Sequence, residues 1–482
     1  MANIWETWGS LMDSLTSQWL DLWYDHPDTS NKSISGDAYD NSLFGNGGND
    51  TITGYAGSDT LVGGYGADKM IGGSGDDFYY ADNKGDVVME NPYDGTDSVG
   101  STLSYTLGAN LENLVLSGTA NISGTGNSFE NIIVGNDGNN LLKSGNGNDL
   151  ISGGLGADTM IGGGDSDTYY VDNTGDVIKE TSTLLTEIET VSSTVTYTLS
   201  ANLEYLVLRG TDNINGTGNA SNNSLEGNNG NNILHGKAGN DNLFGYDGND
   251  VLYGEGNNDN LLGGNGIDTL YGGSGDDRYF VDTTTDTIID SSGTETVQSS
   301  VSYTLGTAIE RLVLTGPSAV MGTGNTLNNY ISGDDGGAAN NILDGGTGDD
   351  TLNGGAGNDK LTGGTGSDTL MGGLDADKFI FSAVTQTGVT ATTRDTISDF
   401  SAGEGDKIDL SAIDANAAMA GNNAFAKPTV GGTFSGSFAN PGDLYFDRTV
   451  HILYGNNDAD VAADFSILLT GVSTVSATNF VF

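Results

Sequence analysis

The sequence predicts an all-β solenoid, and three observations predict it. The first is a nine-residue period. From Gly36 the chain steps through Gly45 to Thr53, Gly54 to Val62, Gly63 to Ile71 and Gly72 to Tyr80. Asp50, Asp59, Asp68 and Asp77 hold the sixth position of these units, and Ile52, Leu61, Met70 and Tyr79 the eighth. The second is composition: 77 of 482 residues are Gly and only 5 are Pro. That is more than twice the usual ~7% Gly, too much for an ordinary helical or α/β enzyme. The third is that the 35% of residues that are apolar fall in register. A formal charge of −50 alone would suggest disorder; periodic apolar positions argue against it.

The remaining blocks follow the first. A second runs over 126–170 with Asp149, Asp158 and Asp167 in register. A third runs over 218–280 with Asp241, Asp250, Asp259, Asp268 and Asp277, and a fourth over 324–380 with Asp350, Asp359, Asp368 and Asp377. The fourth carries a three-residue slip near Ala338 and Ala339. Beyond the first three blocks the register continues to Asp86, Asp176 and Asp286. Glycines permit the positive φ of a tight turn, and short segments such as Thr51-Ile-Thr alternate outward and inward as strands do. The eighth position then points inward and stacks on its equivalent.

The pattern G-G-x-G-x-D-x-U-x resembles the calcium-binding nonapeptide of the repeats-in-toxin (RTX) family, over roughly three-quarters of the chain. One unit would be a weak signal; about twenty in register are not coincidence. The resemblance implies a parallel β-roll with two nonapeptides per coil, so that residues 18 apart stack at roughly 4.8 Å. Asp50 then lies over Asp68, Asp59 over Asp77, Asp241 over Asp259, Asp250 over Asp268 and Asp350 over Asp368. Carboxylates at that spacing repel by about 0.9 kcal/mol in water and about 3.5 kcal/mol at an effective dielectric of 20. Many such pairs would exhaust a stability of ~5–15 kcal/mol, so a cation is needed between rungs. Ca²⁺ suits carboxylate and carbonyl oxygens; Mg²⁺, strictly octahedral and reluctant to shed water, suits them less. The expected ligands are Asp50, Asp59, Asp68, Asp77, Asp86, Asp149, Asp158, Asp167, Asp176, Asp241, Asp250, Asp259, Asp268, Asp277, Asp286, Asp350, Asp359, Asp368 and Asp377. Asn41, Asn131, Asn140, Asn223 and Asn232 replace Asp, mostly where blocks start. There the oxygen is kept and the charge lost, so weaker or absent calcium and a capping coil are expected.

Between blocks lies a longer repeat. Tyr105-Thr-Leu-Gly-Ala-Asn-Leu-Glu-Asn-Leu-Val-Leu-Ser-Gly recurs at Tyr197 and, altered, at Tyr303, each copy leading to Gly-Thr-Gly-Asn at Gly124, Gly216 and Gly322. Segments such as Leu114-Val-Leu read as strands, so blocks and spacers are expected to form one solenoid. Glu112, Glu204 and Glu310 read as solvated strand faces rather than binding groups. From Phe381 the composition changes. Asp395-Thr-Ile-Ser-Asp-Phe and Gly405-Asp-Lys-Ile-Asp-Leu resemble the region after the repeats in serralysin-type secreted proteases. That resemblance implies a β-rich cap over 381–482. The terminal Asn479-Phe-Val-Phe resembles an uncleaved type I secretion signal, and reads equally as a strand completing the cap.

All four Trp, at 5, 8, 19 and 23, lie in residues 1–30 and recur with Leu11, Met12, Leu15 and Leu22 near helical spacing. This predicts a short amphipathic helix. It could cap the roll's edge, bind another subunit or enter a membrane surface, though its acidity disfavours the last.

Several classes are excluded or weakened. The acidity disfavours nucleic acid. Absence of Cys removes disulfides and thiolate metal sites. No run reaches the ~18 apolar residues of a membrane span, and no N-terminal signal peptide is evident. Only His26, His235 and His451 occur, and H-E-x-x-H, G-x-S-x-G and a P-loop are all missing. Gly72-Gly-Ser-Gly comes near the nucleophile elbow, but Asp76 stands fifth. The reading is therefore not an enzyme. It is a secreted calcium-binding structural protein that self-assembles into a surface layer, filament or biofilm matrix. The alternatives are a calcium-dependent adhesin or ligand-binding module, with a cell-surface glycan as one partner to consider, and a cryptic polysaccharide-active enzyme. Expected partners are further copies of itself and type I secretion machinery. The expected location is outside, or on the surface of, a Gram-negative-type bacterium.

Overall fold

One full coil carries the chain round and back into register. In the computed structural model, which describes residues 29–180, 186–333, 338–419 and 422–482, Thr51–Ala56 pairs in parallel with Lys69–Ser74. Ile52 sits beside Met70, and Leu61 beside Tyr79 on the opposite side of the coil. The described residues are all-β apart from one 3-10 turn at Ala477–Asn479, a parallel β-solenoid with a short antiparallel ladder near the C-terminus. They fall into two compact units, ending at Gly230 and beginning at Asn231. The predicted Trp-rich helix lies outside the described residues.

In the first unit the eighth-position residues Ile52, Leu61, Met70, Tyr79, Leu142, Ile151, Met160 and Tyr169 are wholly buried. Their neighbours in the strand are not, as the alternation in Thr51–Ala56 requires. The turns are tight enough to demand glycine: at Gly66, with φ 146°, a Cβ would strike the carbonyl of Gly48.

The spacers are coils of the same roll with altered lengths. Tyr79 pairs with Val99, Val99 with Leu114 and Leu114 with Ile133, so a long coil is followed by a short one and then by one of nearly regular length. The second spacer repeats this order through Tyr169, Val191, Leu206 and Leu225. One face of the roll thus runs through each spacer. On the other face, among the described residues, the sheet ending in Val87–Met89 stops and a new one starts at Tyr105–Thr106.

The second unit uses the same coil register, with Leu243 beside Leu261 and Leu252 beside Leu270. Its spacer steps from Tyr279 to Val297, then by a short coil to Leu312, then to Ile331. The slip near Ala338 is real: Ile331 pairs with Leu352, so this coil is longer than the regular one. Past Phe381, Asp395–Ile397 continues the roll and pairs in parallel with Phe465–Leu469. That strand joins an antiparallel ladder with Ile452–Gly455 and Leu444–Asp447. Phe480–Val481 pairs in parallel with Lys407–Asp409, so the apolar terminal residues complete a sheet.

Candidate metal centre

Each sixth-position Asp closes the turn before its strand, and its two oxygens have different fates. One accepts a backbone N–H from the coil before. Asp50 N–H donates to Asp68 Oδ1 at 2.6 Å, Asp149 N–H to Asp167 Oδ1 at 2.8 Å, and Asp350 N–H to Asp368 Oδ1 at 2.8 Å. The chain Asp241, Asp259, Asp277 is built the same way, at 2.8 Å per step. The second oxygen has no hydrogen-bond partner and is buried in Asp50, Asp59, Asp68, Asp77, Asp149, Asp158, Asp167, Asp250, Asp259, Asp268, Asp277, Asp350, Asp359, Asp368 and Asp377. Leaving one buried carboxylate oxygen unmatched is costly; leaving a column of them is a feature of a site.

Those oxygens point into cradles made by the missing side chain of the unit's first glycine. A Cβ at Gly45 would meet Asp50 Oδ2 and the carbonyl of Gly63; at Gly254 it would meet Asp259 Oδ2 and, at 2.8 Å, the carbonyl of Gly272. At Gly354 the pair is Asp359 Oδ2 and the Gly372 carbonyl at 2.5 Å. A carboxylate from one coil and a carbonyl from the next thus converge on one point. Such all-oxygen donors fit Ca²⁺, which takes 6–8 of them.

Electrostatics agree. Burial is the main cause pushing the Asp77 carboxyl up to about 6, against the lowering effect of the Asp59 N–H. Burial likewise takes Asp158 to about 7 and Asp167 to about 8. Asp250, Asp259 and Asp350 rise to about 7 for the same reason. A divalent ion supplies the positive charge these groups lack.

Three expected ligands are placed differently. Asp86 Oδ1 accepts the Asp68 N–H, but its Oδ2 accepts the N–H of Asn83 at 3.0 Å; Asp176 does the same with Asp158 and Asn173. Asp286 takes the Asp268 N–H and the Thr283 hydroxyl on one oxygen. These groups knit turns. At the block starts Asn holds the Asp position, and its amide donates to carbonyls of the preceding coil. Asn131 Nδ2 donates to the carbonyls of Leu111 and Glu112 at 3.2 and 3.1 Å, and Asn140 Nδ2 donates to that of Ile122 at 3.0 Å.

Sequence reasoning missed the acids that extend the ladder beyond each block. Asp77 N–H donates to Asp97, Asp167 N–H to Glu189 and Asp277 N–H to Glu295, at 2.9, 2.7 and 2.7 Å. Asp368 and Asp377 reach Asp395 and Asp406 in the same way. Glu295 lies 18 residues after Asp277, so the register alone could have found it. Glu112, Glu204 and Glu310 are not free strand faces: half-buried, they accept the N–H groups of Asp97, Glu189 and Glu295 at 2.8–3.0 Å. A shortened coil brings them there, which the nonapeptide period does not reveal. His235 stacks on Tyr253, 4.5 Å between ring centres, beside Glu255.

Parallel coils, glycine cradles and a column of buried unmatched carboxylate oxygens define a calcium-binding β-roll. The profile of the RTX calcium-binding nonapeptide repeat matches over residues 33–88, 125–178, 209–288 and 323–379, just over half of the chain. The chain belongs to this family, and its repeats imply several Ca²⁺ ions per molecule. Among solved structures, the chain is similar to the R3 subunit of the Azotobacter vinelandii mannuronan C5-epimerase AlgE6, at 27% identity over 38% of this chain and 83% of that one, with a TM-score of 0.22. No curated protein matches the chain.

Proposed function

We propose that the chain is a secreted structural protein that folds on meeting calcium and then assembles with copies of itself into a surface layer, filament or matrix. The observation that carries the calcium-driven folding is the column of buried Asp Oδ2 atoms without partners in the repeat blocks. At low calcium, repulsion along that column and the excess of acid over base oppose folding. At the millimolar calcium found outside cells, ion binding supplies the folding free energy. The same ion is ligand and switch. The proposed metal ligands are the Asp residues whose second oxygen faces a glycine cradle. The proposed domains are an N-terminal segment over 1–30, a roll over 36–380 and a cap over 381–482 that carries the export signal. Two features favour a structural role. Repeat coils and the strands that close them take up most of the described chain. Tyr39, Tyr55, Tyr65 and Tyr93 are exposed and offer aromatic contact surface.

The test is electron microscopy with circular dichroism as calcium is raised from chelator excess to ~10 mM, which spans the affinities of extracellular calcium modules. Ordered sheets or filaments appearing with the β signal support assembly. Folded monomers at saturating calcium favour an adhesin or ligand-binding module instead. A chain already β-folded in chelator overturns the switch.

A further inference from the structure

Where each of the first three blocks gives way to a spacer, the chain builds an arrangement absent from the repeat itself. In a regular rung the cradle brings together an Asp Oδ2 and the carbonyl of the glycine one full coil on, as Gly54 does with Asp59 and Gly72. One regular coil after Gly72 stands Glu90; after Gly162 stands Glu180; after Gly272 stands Asp290. A side-chain carboxylate therefore stands where a carbonyl stood. A Cβ at Gly72 would collide with Asp77 Oδ2, Tyr79 Oη and Glu90 Oε1, and one at Gly272 with Asp277 Oδ2, Tyr279 Oη and Asp290 Oδ2. The tyrosine fixes the new ligand in all three copies. Tyr79 donates to Glu90, Tyr169 to Glu180 at 2.7 Å, and Tyr279 to Asp290.

A third carboxylate completes each group. In Asp77–Glu90–Asp97, Asp167–Glu180–Glu189 and Asp277–Asp290–Glu295, one oxygen from each residue lies within 4.8 Å of the others. Independently of this clustering, Asp77, Asp167 and Asp277 are at most 2% exposed and their Oδ2 atoms have no hydrogen-bond partner. The same holds for Glu189 Oε1 and Glu295 Oε1. Oxygens bound to one Ca²⁺ at 2.3–2.6 Å lie up to about 5 Å apart, so the groups are close enough to share one ion.

We propose that these trios are three further calcium sites, made of side chains alone, that terminate the blocks. The proposal rests on the calcium reading of the repeats and extends it to residues outside the nonapeptide. A repeat site needs the next coil's glycine carbonyl, and at a block end there is none; Glu90, Glu180 and Asp290 replace it. Three carboxylates on one ion outnumber the charge of a carbonyl-rich rung, and affinity rises with ligand charge. The terminal sites therefore fill before the repeat rungs.

Crystals of the full chain grown with calcium, measured for anomalous scattering, test this directly. A peak within each trio is expected. Peaks along the repeat cradles with none at the trios would overturn the proposal and leave the repeat reading intact; peaks nowhere would overturn both. In solution, Glu90→Gln, Glu180→Gln and Asp290→Asn combined should lower the calcium bound per chain by three ions in equilibrium dialysis. The midpoint of calcium-driven β formation should also move up about ten-fold. An unchanged count and midpoint would sink the idea. Should the combined variant fail to fold at any calcium concentration, the wild-type crystal measurement alone decides.

Discussion

The backbone N–H of Asp59 donates to Asp77 Oδ1 at 2.7 Å, and this one bond leaves Asp77 Oδ2 turned toward the cradle at Gly72. The hydrogen bond ties neighbouring rungs together, and the second oxygen, without a hydrogen-bond partner, faces the cradle. Under the proposed function, structural and ligating roles are divided between two atoms of one carboxylate, and mutation can separate them.

Asp259→Asn keeps an oxygen for the Asp241 N–H, 2.8 Å away, and removes the charge from the cradle. The roll should still form at high calcium. Its calcium midpoint, followed by circular dichroism, should rise, and stability at saturation should fall by about 1–3 kcal/mol. An unchanged midpoint would remove Asp259 from the ligand set.

Gly254→Ala fills a cradle without touching a carboxylate in the sequence. The added methyl would lie against Asp259 Oδ2 and, at 2.8 Å, the Gly272 carbonyl. Gly254 is not among the positive-φ glycines, so backbone strain is not the cause of any effect. Equilibrium dialysis should find at least one calcium fewer per chain.

Acidity should act in opposite directions with and without calcium. In the metal-free roll the Asp77 carboxyl sits at about 6, Asp158 at about 7 and Asp167 at about 8, all raised mainly by burial from 3.8. The folded state then binds more protons than the unfolded one, so stability falls as pH rises. Its carboxyl contribution is complete below about pH 4 and is lost through pH 6–8. In chelator, acidification from pH 8 to 5 should therefore restore β signal. With calcium present, the same acidification should raise the calcium midpoint, since the ion must displace those protons. Titrations at pH 5, 6.5 and 8 check both signs.

Leu252→Ala opens a hole in a wholly buried column between Leu234 and Leu270. A loss of about 2–5 kcal/mol is expected. Because each coil contacts mainly its neighbours, hydrogen exchange should quicken around residues 234–270 and stay slow several coils away. Uniform loss of protection would contradict that.

The regular parts of this molecule are legible because every rung obeys the same arithmetic. The period of nine places Ile52 and Leu61 inside, and the family's two-repeat coil puts Asp50 over Asp68. What escapes lies where the arithmetic changes. Asp97 is 20 residues past Asp77 and Glu189 is 22 past Asp167, because the turns between them are longer. Glu112 reads as a surface residue because nothing local shows that its coil is shortened. Asp86 keeps the register, yet a nearby turn N–H at Asn83 claims its second oxygen. Spacing predicts which rung a residue joins; it does not predict what else competes for its side chain.

The constant coil register has an evolutionary corollary. Duplicating one whole coil inserts a rung that already matches both neighbours, in its inward side chain, its carboxylate and its cradle. Such a gene can lengthen or shorten by slippage while the protein stays foldable. Length becomes a quantity that selection can adjust freely, one coil at a time.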